Sequence, residues 1–136
     1  MPQKKIDFII KTQNGKNVLR RYKGSDAVVS VPDGVEKIGD FVFADDIEPN
    51  ETIKKIIVPD SVKEISCDAF SYCEALEEIR FPDGMEKFDI NFCHCPSVAQ
   101  VTIPDSVTQV GNLCSSKALK KIKVGPNIVA VQFSVF

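Results

Sequence analysis

The chain has few of the residues that catalytic motifs need. It contains a single histidine, His94, among 136 residues, and it has neither a G-x-S-x-G sequence nor a glycine-rich phosphate-binding loop. Cys93 beside His94 suggests a thiol nucleophile with its base, but adjacent residues of an extended segment point to opposite sides. We therefore predict no catalytic residue, no enzymatic activity and no cofactor.

An excess of charge of either sign is also missing. Lysine and arginine number 17, aspartate and glutamate number 19, and the formal net charge is −2. A protein held to nucleic acid or to an anionic membrane by its overall field needs a basic excess, so neither is an expected partner. Because no apolar run is long enough to cross a bilayer, we predict no membrane insertion.

The N-terminal sequence lacks an export signal. Asp7 and Lys11 interrupt the apolar segment that follows the early lysines, whereas a signal peptide needs an unbroken apolar region. The expected location is therefore the cytoplasm, unless a leader has been removed from the sequence. The cysteines are odd in number and are expected to be reduced thiols. They are Cys67, Cys73, Cys93, Cys95 and Cys114.

A recurring eight-residue pattern is the main feature that the sequence does contain. It reads VPDGVEKI at 31–38, VPDSVKEI at 58–65, FPDGMEKF at 81–88, IPDSVTQV at 103–110 and, in a degraded form, VGPNIVAV at 124–131. The starts lie 27, 23, 22 and 21 residues apart. A period in the twenties is typical of a solenoid. We assign the longer first spacing to a loop insertion at 47–50.

Aligned copies place apolar residues in columns that stacked repeats can bury together. The columns are Phe43, Phe70, Phe92 and Leu113; Ile53, Leu76, Val98 and Leu119; Ile56, Ile79, Val101 and Ile122; and Val31, Val58, Phe81, Ile103 and Val124. Residues before each proline alternate between outward and inward positions, which indicates short strands. We predict parallel strands near 28–31, 55–58, 78–81, 100–103 and 121–124. Proline ends each strand, and the V-x-x-I segment that follows the turn forms the opposite wall.

The repeat resembles the BspA-like leucine-rich repeat, a class of about 23 residues. The second copy matches that pattern at Pro59, Asp60, Ser61, Val62, Ile65, Ala69, Phe70, Cys73, Leu76 and Ile79. The resemblance covers nearly the whole chain, and the "NG" at 14–15 predicts the hairpin with which such arrays begin. The sequence departs from the pattern in the first-copy insertion, in the shorter third and fourth copies, and at Leu113 and Ser116.

The resemblance implies one domain over residues 1–136, a β-rich, right-handed leucine-rich repeat solenoid of about four and a half repeats. The hairpin cap and first strand occupy 1–30, the repeats 31–123 and a partial C-terminal repeat 124–136. Members of this family are mostly bacterial surface or secreted binding proteins and adhesins. The resemblance therefore implies a non-catalytic binding function and offers the cell surface as the alternative location.

The consecutive residues Cys93, His94 and Cys95 carry zinc-ligand chemistry. Cys73 is expected to stack on Cys95, and Cys114 on Cys93. Residues 93 and 95 are nonetheless too close for the usual gap between paired ligands, and buried free cysteine behaves as a small hydrophobic residue. We predict no metal site and keep a small metal or redox protein as the least favoured alternative.

Turn aspartates recur after each proline and could bind calcium in a row. They are Asp33, Asp60, Asp83 and Asp105. An aspartate at this position of a turn ordinarily accepts hydrogen bonds from nearby backbone, and we prefer that interpretation.

Outward positions on the predicted strands form the candidate partner-binding face. They are Lys55, Ile57, Glu78, Arg80, Gln100, Thr102, Lys121 and Lys123. Solenoids bind partners through such regular faces. The charges are mixed and aromatic residues are missing, whereas a nucleic-acid surface is basic and aromatic. The pattern favours a protein or peptide partner, and the alternative is a solvated face without a partner.

The C-terminal segment 128–136 carries no charge. A solenoid needs a polar cap on its last turn, and an open apolar edge invites pairing. Either this tail folds back as its own cap, or two chains form a homodimer through Phe133, Val135 and Phe136. Self-assembly is therefore the alternative function.

Overall fold

The structure, a computed structural model, describes residues 7–111, 113 and 119–131, with the backbone alone at 130 and 131. The strands of this part are β1 Phe8–Gln13, β2 Lys16–Tyr22, β3 Val28–Ser30, β4 Lys37–Ile38, β5 Lys55–Ile57, β6 Glu64–Ile65, β7 Glu78–Arg80, β8 Lys87–Phe88, β9 Gln100–Thr102, β10 Gln109–Val110, β11 Lys121–Lys123 and β12 Ala130–Val131. Within the same ranges, no helix has the length and apolar character needed to cross a membrane.

The strands form two walls of a coil. The front wall consists of β3, β5, β7, β9 and β11, and the back wall of β4, β6, β8, β10 and β12. The strands that pair within each wall are parallel, as Lys55 with Glu78 and Gln100 with Lys121 show. The predicted solenoid with parallel sheets is confirmed. Each front-wall strand ends one residue earlier than predicted.

An antiparallel hairpin of β1 and β2 begins the coil. Its turn residues, Asn14 and Gly15, have φ values of 52° and 77°, and positive φ at both positions is the geometry of a type I′ turn. Strand β2 continues the back wall by pairing in parallel with β4. The rings of Phe8 and Tyr22 lie 5.0 Å apart and cover this end of the core.

The Pro-Asp corners are linked from one turn to the next. Gly34 N donates to Ser61 Oγ at 3.1 Å, and Gly84 N donates to Ser106 Oγ at 3.2 Å. Both glycines have φ above 90°, where other residues are strained. The alternation of Asp-Gly with Asp-Ser along the sequence therefore pairs a left-handed glycine with a serine acceptor in the next turn.

The core contains the predicted apolar columns, but the predicted burial of Ile122 and Val124 in them is wrong. Phe43 and Phe70 stack with 5.7 Å between ring centroids, and Phe92 and Leu113 continue their column as buried residues. The burial decreases toward the C-terminal end of the described coil. Ile122 and Val124 are 37% and 58% exposed, respectively.

Both walls are interrupted between the second and third copies. The front wall divides into β3-β5-β7 and β9-β11, and the back wall divides between β6 and β8. On the front wall, Val58 N donates to Arg80 O at 3.0 Å. In the described residues no corresponding bond joins Phe81 N to Thr102 O, although Ile103 N donates to Lys123 O in the next pair at 2.8 Å. The walls are therefore two stacks of strands rather than one.

Large side chains in the third copy explain this interruption. Phe81, Met85 and Phe88 are buried at inward positions of that turn. The equivalent residues are Val58, Val62 and Ile65 in the second copy, and Ile103, Val107 and Val110 in the fourth. Excess side-chain volume in a packed interior is relieved by shifts of the backbone. The third turn is therefore held away from the second on both walls.

The corners still connect the two stacks. Tyr72 N donates to Cys93 O at 3.1 Å, and Asn91 N donates to Cys67 O at 2.7 Å. At the Pro-Asp corner, the backbone N–H of Asp83 donates to Oδ1 of the preceding turn's aspartate, Asp60, at 2.9 Å. The stacks are thus joined at their corners and separated along their walls.

Candidate partner-binding surface

Four of the predicted face residues lie together on β5 and β7. In the paired register, Lys55 is opposite Glu78, and Ile57 is opposite Arg80. Lys55 Nζ lies 3.6 Å from Glu78 Oε2. Ile57 is half-buried and Arg80 is exposed. The N-terminal half of the face therefore presents an aliphatic side chain beside a guanidinium group that has no ion pair among the described residues.

The other four residues lie on β9 and β11. Gln100 is opposite Lys121, and Thr102 is opposite Lys123. All four side chains are exposed. This half of the face is neutral on one strand and basic on the next, whereas the half on β5 and β7 contains both signs of charge.

A cleft separates the two halves. It has a volume of about 630 Å³ and lies between β7 and β9. We call it the front cleft, lined by Glu77, Glu78, Ile79, Arg80, Phe81, Asp83, Gln100, Thr102, Ile103, Pro104 and Asp105. The alignment of repeats did not reveal this cleft. The sequence feature that indicates the cleft is the large side-chain volume of the inward residues in the third copy. An alignment of apolar positions does not distinguish side chains by volume.

The thiols of Cys73 and Cys95 are buried in the core, as the repeat pattern predicts. Cys95 Sγ donates to Phe70 O at 3.1 Å. Burial raises the pKa of Cys95 to about 11 and raises the pKa of Cys73 further still. Both thiols are therefore neutral at physiological pH and unsuited to nucleophilic attack. Cys114 lies outside the described residues.

His94 packs against an aromatic ring at a corner of the coil. Its imidazole stacks on Tyr72 with 4.4 Å between centroids, and Phe41 lies 6.3 Å beyond Tyr72. All three residues have φ between 53° and 67°. Left-handed backbone costs about 1–2 kcal/mol for a residue with a side chain. The ring contacts help to offset that cost, which gives His94 a structural role beside the neighbouring cysteines.

One converging group of potential ligand atoms occurs in the described residues, and it involves a different cysteine. Asp40, Cys67 and Asp68 bring their ligand atoms within 4.8 Å of one another. Asp40 Oδ1 accepts from Asp68 N at 3.3 Å, and Asp68 Oδ1 accepts from Asn91 Nδ2 at 3.3 Å. Partial burial raises the pKa of Cys67, and the nearby carboxylates raise it further. The two hydrogen bonds link successive corners of the coil. Burial and the nearby carboxylates keep the Cys67 thiol in its neutral form.

The proposed dimer residues, Phe133, Val135 and Phe136, lie outside the described residues. The apolar side chain of Val129, earlier in the chain, is 81% exposed.

The parallel coil and its short strands define a leucine-rich repeat protein. Residues 22–136 match the BspA type leucine rich repeat region in six copies, and the chain belongs to this family. The family model counts six copies where the sequence pattern predicted about four and a half. The chain has no significant match among curated proteins.

Solved bacterial structures share this fold. A leucine-rich repeat protein from Bacteroides capillosus is 25% identical, with a TM-score of 0.70 over 87% of this chain and 94% of that one. The T. pallidum leucine rich repeat protein is 21% identical, with a TM-score of 0.66 over 96% and 71% of the two chains. A leucine rich cell surface protein from Faecalibacterium prausnitzii is 21% identical, with a TM-score of 0.64 over 93% of this chain. This chain spans 38% of the length of the Faecalibacterium protein.

Proposed function

We propose that the chain is a non-catalytic protein-interaction module that binds a protein or peptide through the outward side chains of β5, β7, β9 and β11. The observation that carries the proposal is the arrangement of Ile57 beside Arg80 on an exposed, regular strand face. Arginine and large apolar side chains contribute strongly to binding when a partner removes them from water. Because the face carries charges of both signs, it suits a partner surface that places the opposite charge against each of them.

Affinity capture with three baits tests this proposal. The unaltered chain is compared with Ile57→Asp plus Arg80→Glu, and with a control that carries Ile47→Asp plus Lys87→Glu. The control makes the same kinds of change at exposed positions away from the front wall, since Ile47 is 85% exposed in a loop and Lys87 lies on β8.

A partner of the front wall is retained by the unaltered and control baits and lost by the front-wall variant. Titration of that purified partner should then show at least about tenfold weaker binding to the front-wall variant, which corresponds to about 1.4 kcal/mol. Equal retention by all three baits would show that the front wall is not the site.

Self-assembly through the C-terminal end is the second candidate function. It is favoured by the exposure of Val124 and Val129, at 58% and 81%, near the uncharged tail. Exposed apolar groups at the end of a coil are suited to contact with a second copy. Light scattering tests the idea: a dimer mass that persists in Phe133→Asp plus Phe136→Asp would exclude the tail as the interface.

The cell surface is the location that we propose for this binding function. The Faecalibacterium protein of similar fold is described as a cell surface protein. The cytoplasm remains the alternative. Surface labelling of intact cells that express the natural gene distinguishes the two locations.

A further inference from the structure

We propose that the free edge of the N-terminal hairpin binds an extended acidic segment of a protein, which pairs with β1 as an added strand and widens the back wall. This surface is separate from the one proposed above, because the hairpin belongs to the back wall and contains none of the front-wall residues. The chain would then have two interaction surfaces, each with its own ligand chemistry.

Strand β1 is the outermost strand of its sheet. The order of that sheet is β1-β2-β4-β6, and within the described ranges no strand pairs with β1 on the side away from β2. β1 has six residues, whereas every other strand at an end of a described sheet has two or three. The side chains from Ile10 to Gln13 are exposed. An unpaired strand of this length is a template for an incoming extended chain.

The turn of the hairpin determines which backbone groups of β1 point outward. Gln13 and Lys16 pair next to the two-residue loop, where the opposite residues exchange both of their hydrogen bonds. Bonded and non-bonded pairs alternate along an antiparallel ladder, so Lys11 also bonds to β2, whereas the N–H and C=O groups of Ile10 and Thr12 point away from it. In the described part of the chain no backbone group from outside the hairpin bonds to these two residues. Both N–H groups and both C=O groups are therefore available to an added strand.

The hairpin is basic in a chain that is otherwise acidic. Residues 1–23 contain seven of the 17 lysines and arginines but only one of the 19 acidic residues. Lys11, Lys16 and Arg20 are exposed and form no ion pair among the residues that the structure describes. Arg20 Nη1 donates to Gln13 Oε1 at 3.2 Å, so the guanidinium group lies against β1.

The two faces of the hairpin favour an alternating pattern in the bound segment. Lys11 and Gln13 lie on one face by strand alternation, and Lys16 is opposite Gln13. Directly opposite side chains of neighbouring strands lie about 5 Å apart, so acidic residues of the added strand can contact this basic face. On the other face Ile10 is 40% exposed. An apolar residue beside Ile10 would remove that side chain from water.

A second copy of the chain fits this edge less well. If Ile10 of one copy bonded to Thr12 of the other across a two-fold axis, the two Lys11 side chains would lie opposite each other. Like charges at that position are destabilising, and lysine on an edge strand discourages self-pairing. Any symmetric pairing would also bring two basic hairpins together. An acidic segment is attracted by the same lysine.

Nucleic acid also fits less well than an acidic peptide. Its backbone does not offer the alternating N–H and C=O groups that pair with a strand edge. The aromatic residues of the hairpin, Phe8 and Tyr22, are buried and provide no exposed ring for a base to stack on.

Direct titration with a synthetic probe tests the proposal. The probe is an acetylated and amidated peptide of about eight residues, long enough to cover β1, in which glutamate alternates with valine and threonine. One control peptide carries N-methyl groups on alternate backbone amides, which removes strand pairing and retains the charge. A second control peptide has lysine in place of glutamate.

We expect saturable micromolar binding of the glutamate peptide to the unaltered chain, at least about tenfold weaker binding of the N-methylated peptide, and no binding of the lysine peptide. Equal binding of the glutamate and N-methylated peptides would overturn the proposal. A lack of saturation at about 1 mM would overturn it as well.

A proline variant tests the backbone pairing. Thr12→Pro removes an outward N–H but no bond to β2, and proline is tolerated on an edge strand at such a position. This variant should bind the glutamate peptide at least about fivefold more weakly. Thr12→Val keeps the N–H and should bind the peptide as the unaltered chain does. Equal binding by the two variants contradicts pairing with β1.

A charge-reversal variant tests the choice of an acidic ligand. Lys11→Glu plus Arg20→Glu should weaken the glutamate peptide at least about tenfold and should bind the lysine peptide instead. The control, Lys121→Glu plus Lys123→Glu, makes the same change of net charge at exposed positions on β11 and should leave binding unchanged. Equal effects of the two variants would show that overall charge, and not the hairpin, attracts the peptide.

Amide hydrogen exchange on the unaltered chain provides a measurement that needs no variant. The glutamate peptide should slow the exchange of Ile10 and Thr12 and leave Val29, on β3, unchanged. Uniform protection, or none, contradicts the proposed site.

Two further outcomes would assign the edge to another occupant. An oligodeoxythymidine that binds the unaltered chain and Thr12→Pro equally, and more tightly than the peptide, would show recognition of charge alone. A dimer that Thr12→Pro abolishes, without binding of the peptide, would assign the edge to a second copy. Either result overturns the proposal and leaves capture through Ile57 and Arg80 as a separate question.

Discussion

The ring of Phe81 meets the ring of Phe88 edge-on, with 5.0 Å between their centroids and 75° between their planes. This pair spans the third turn between its two walls. The second turn has Val58 and Ile65 at the same positions. Side-chain volume inside the coil therefore controls the spacing of strands on its outside, and hence the shape of the candidate binding surface.

The first prediction concerns amide exchange in the free protein. Val58 N–H and Ile103 N–H donate to the following turn, whereas Phe81 N–H has no such bond to Thr102. Amides without a stable hydrogen bond exchange faster. We expect Phe81 to exchange at least about tenfold faster than the other two, as measured by nuclear magnetic resonance. Similar rates at all three positions would show that the front wall is continuous in solution.

The second prediction tests the cause of the separation. Phe81→Ile combined with Phe88→Ile reduces the third turn to the side-chain size of its neighbours, so β7 and β9 should approach and the amide at position 81 should gain protection. Phe92→Ile serves as the control, because it also removes a buried ring, at 1% exposure, but from a corner column. Unchanged exchange at position 81 in the double variant would refute the size argument.

The third prediction concerns the aromatic column of the core. Phe70 is fully buried, stacks on Phe43 at 5.7 Å and meets Phe81 at 6.2 Å. Phe70→Ala should lower the free energy of unfolding by about 3–5 kcal/mol, since it leaves a large cavity. Phe41→Ala, at a side chain that is 38% exposed, should cost less than about 1 kcal/mol. Urea denaturation measures both values, and equal losses would contradict the packing described for the column.

The fourth prediction is a loss of stability in alkali. Burial raises the pKa of Cys95 from 9.0 to about 11, and burial with the neighbouring Asp26 raises that of Tyr22 from 10.0 to about 12. The unfolded chain releases these protons first. The contribution to folding is therefore complete below pH 9 and is lost as the pH rises through about 11 for Cys95 and about 12 for Tyr22.

Thermal melts between pH 8 and pH 12 should accordingly show a falling Tm. Tyr22→Phe removes one of these groups, so the melting temperature of this variant should fall less steeply above pH 10, while the buried Cys73, whose pKa is also raised, still contributes to the fall. A constant melting temperature from pH 9 to pH 11 in the unaltered chain would contradict the buried state of Cys95.

Sequence patterns predicted the coil because each recurring feature has a local cause. Proline ends a strand, the following Asp-Gly or Asp-Ser turns the chain, and alternation before the proline gives the faces of the strand. The outward positions of Ile57 and Arg80 follow from that alternation. The burial of Cys73 and Cys95 follows from their place in the repeat.

The front cleft could not be predicted in the same way. Val58 and Phe81 belong to one apolar column, and a column records hydrophobicity but not volume. The sequence patterns also did not predict the residues with left-handed backbone at the corners of the coil. Positive φ is ordinarily indicated by glycine or asparagine, and here it occurs at Phe41, Tyr72 and His94, where contacts between turns favour it.

The weak contact between the second and third turns bears on how the protein unfolds. In a stack of repeats, cooperativity passes only between nearest neighbours. Fraying that begins at β11 and spreads through β9 meets little resistance until it reaches the tighter stack that ends at β7. The hairpin and the first two turns, whose walls are continuous, are therefore expected to be the last part of the coil to unfold.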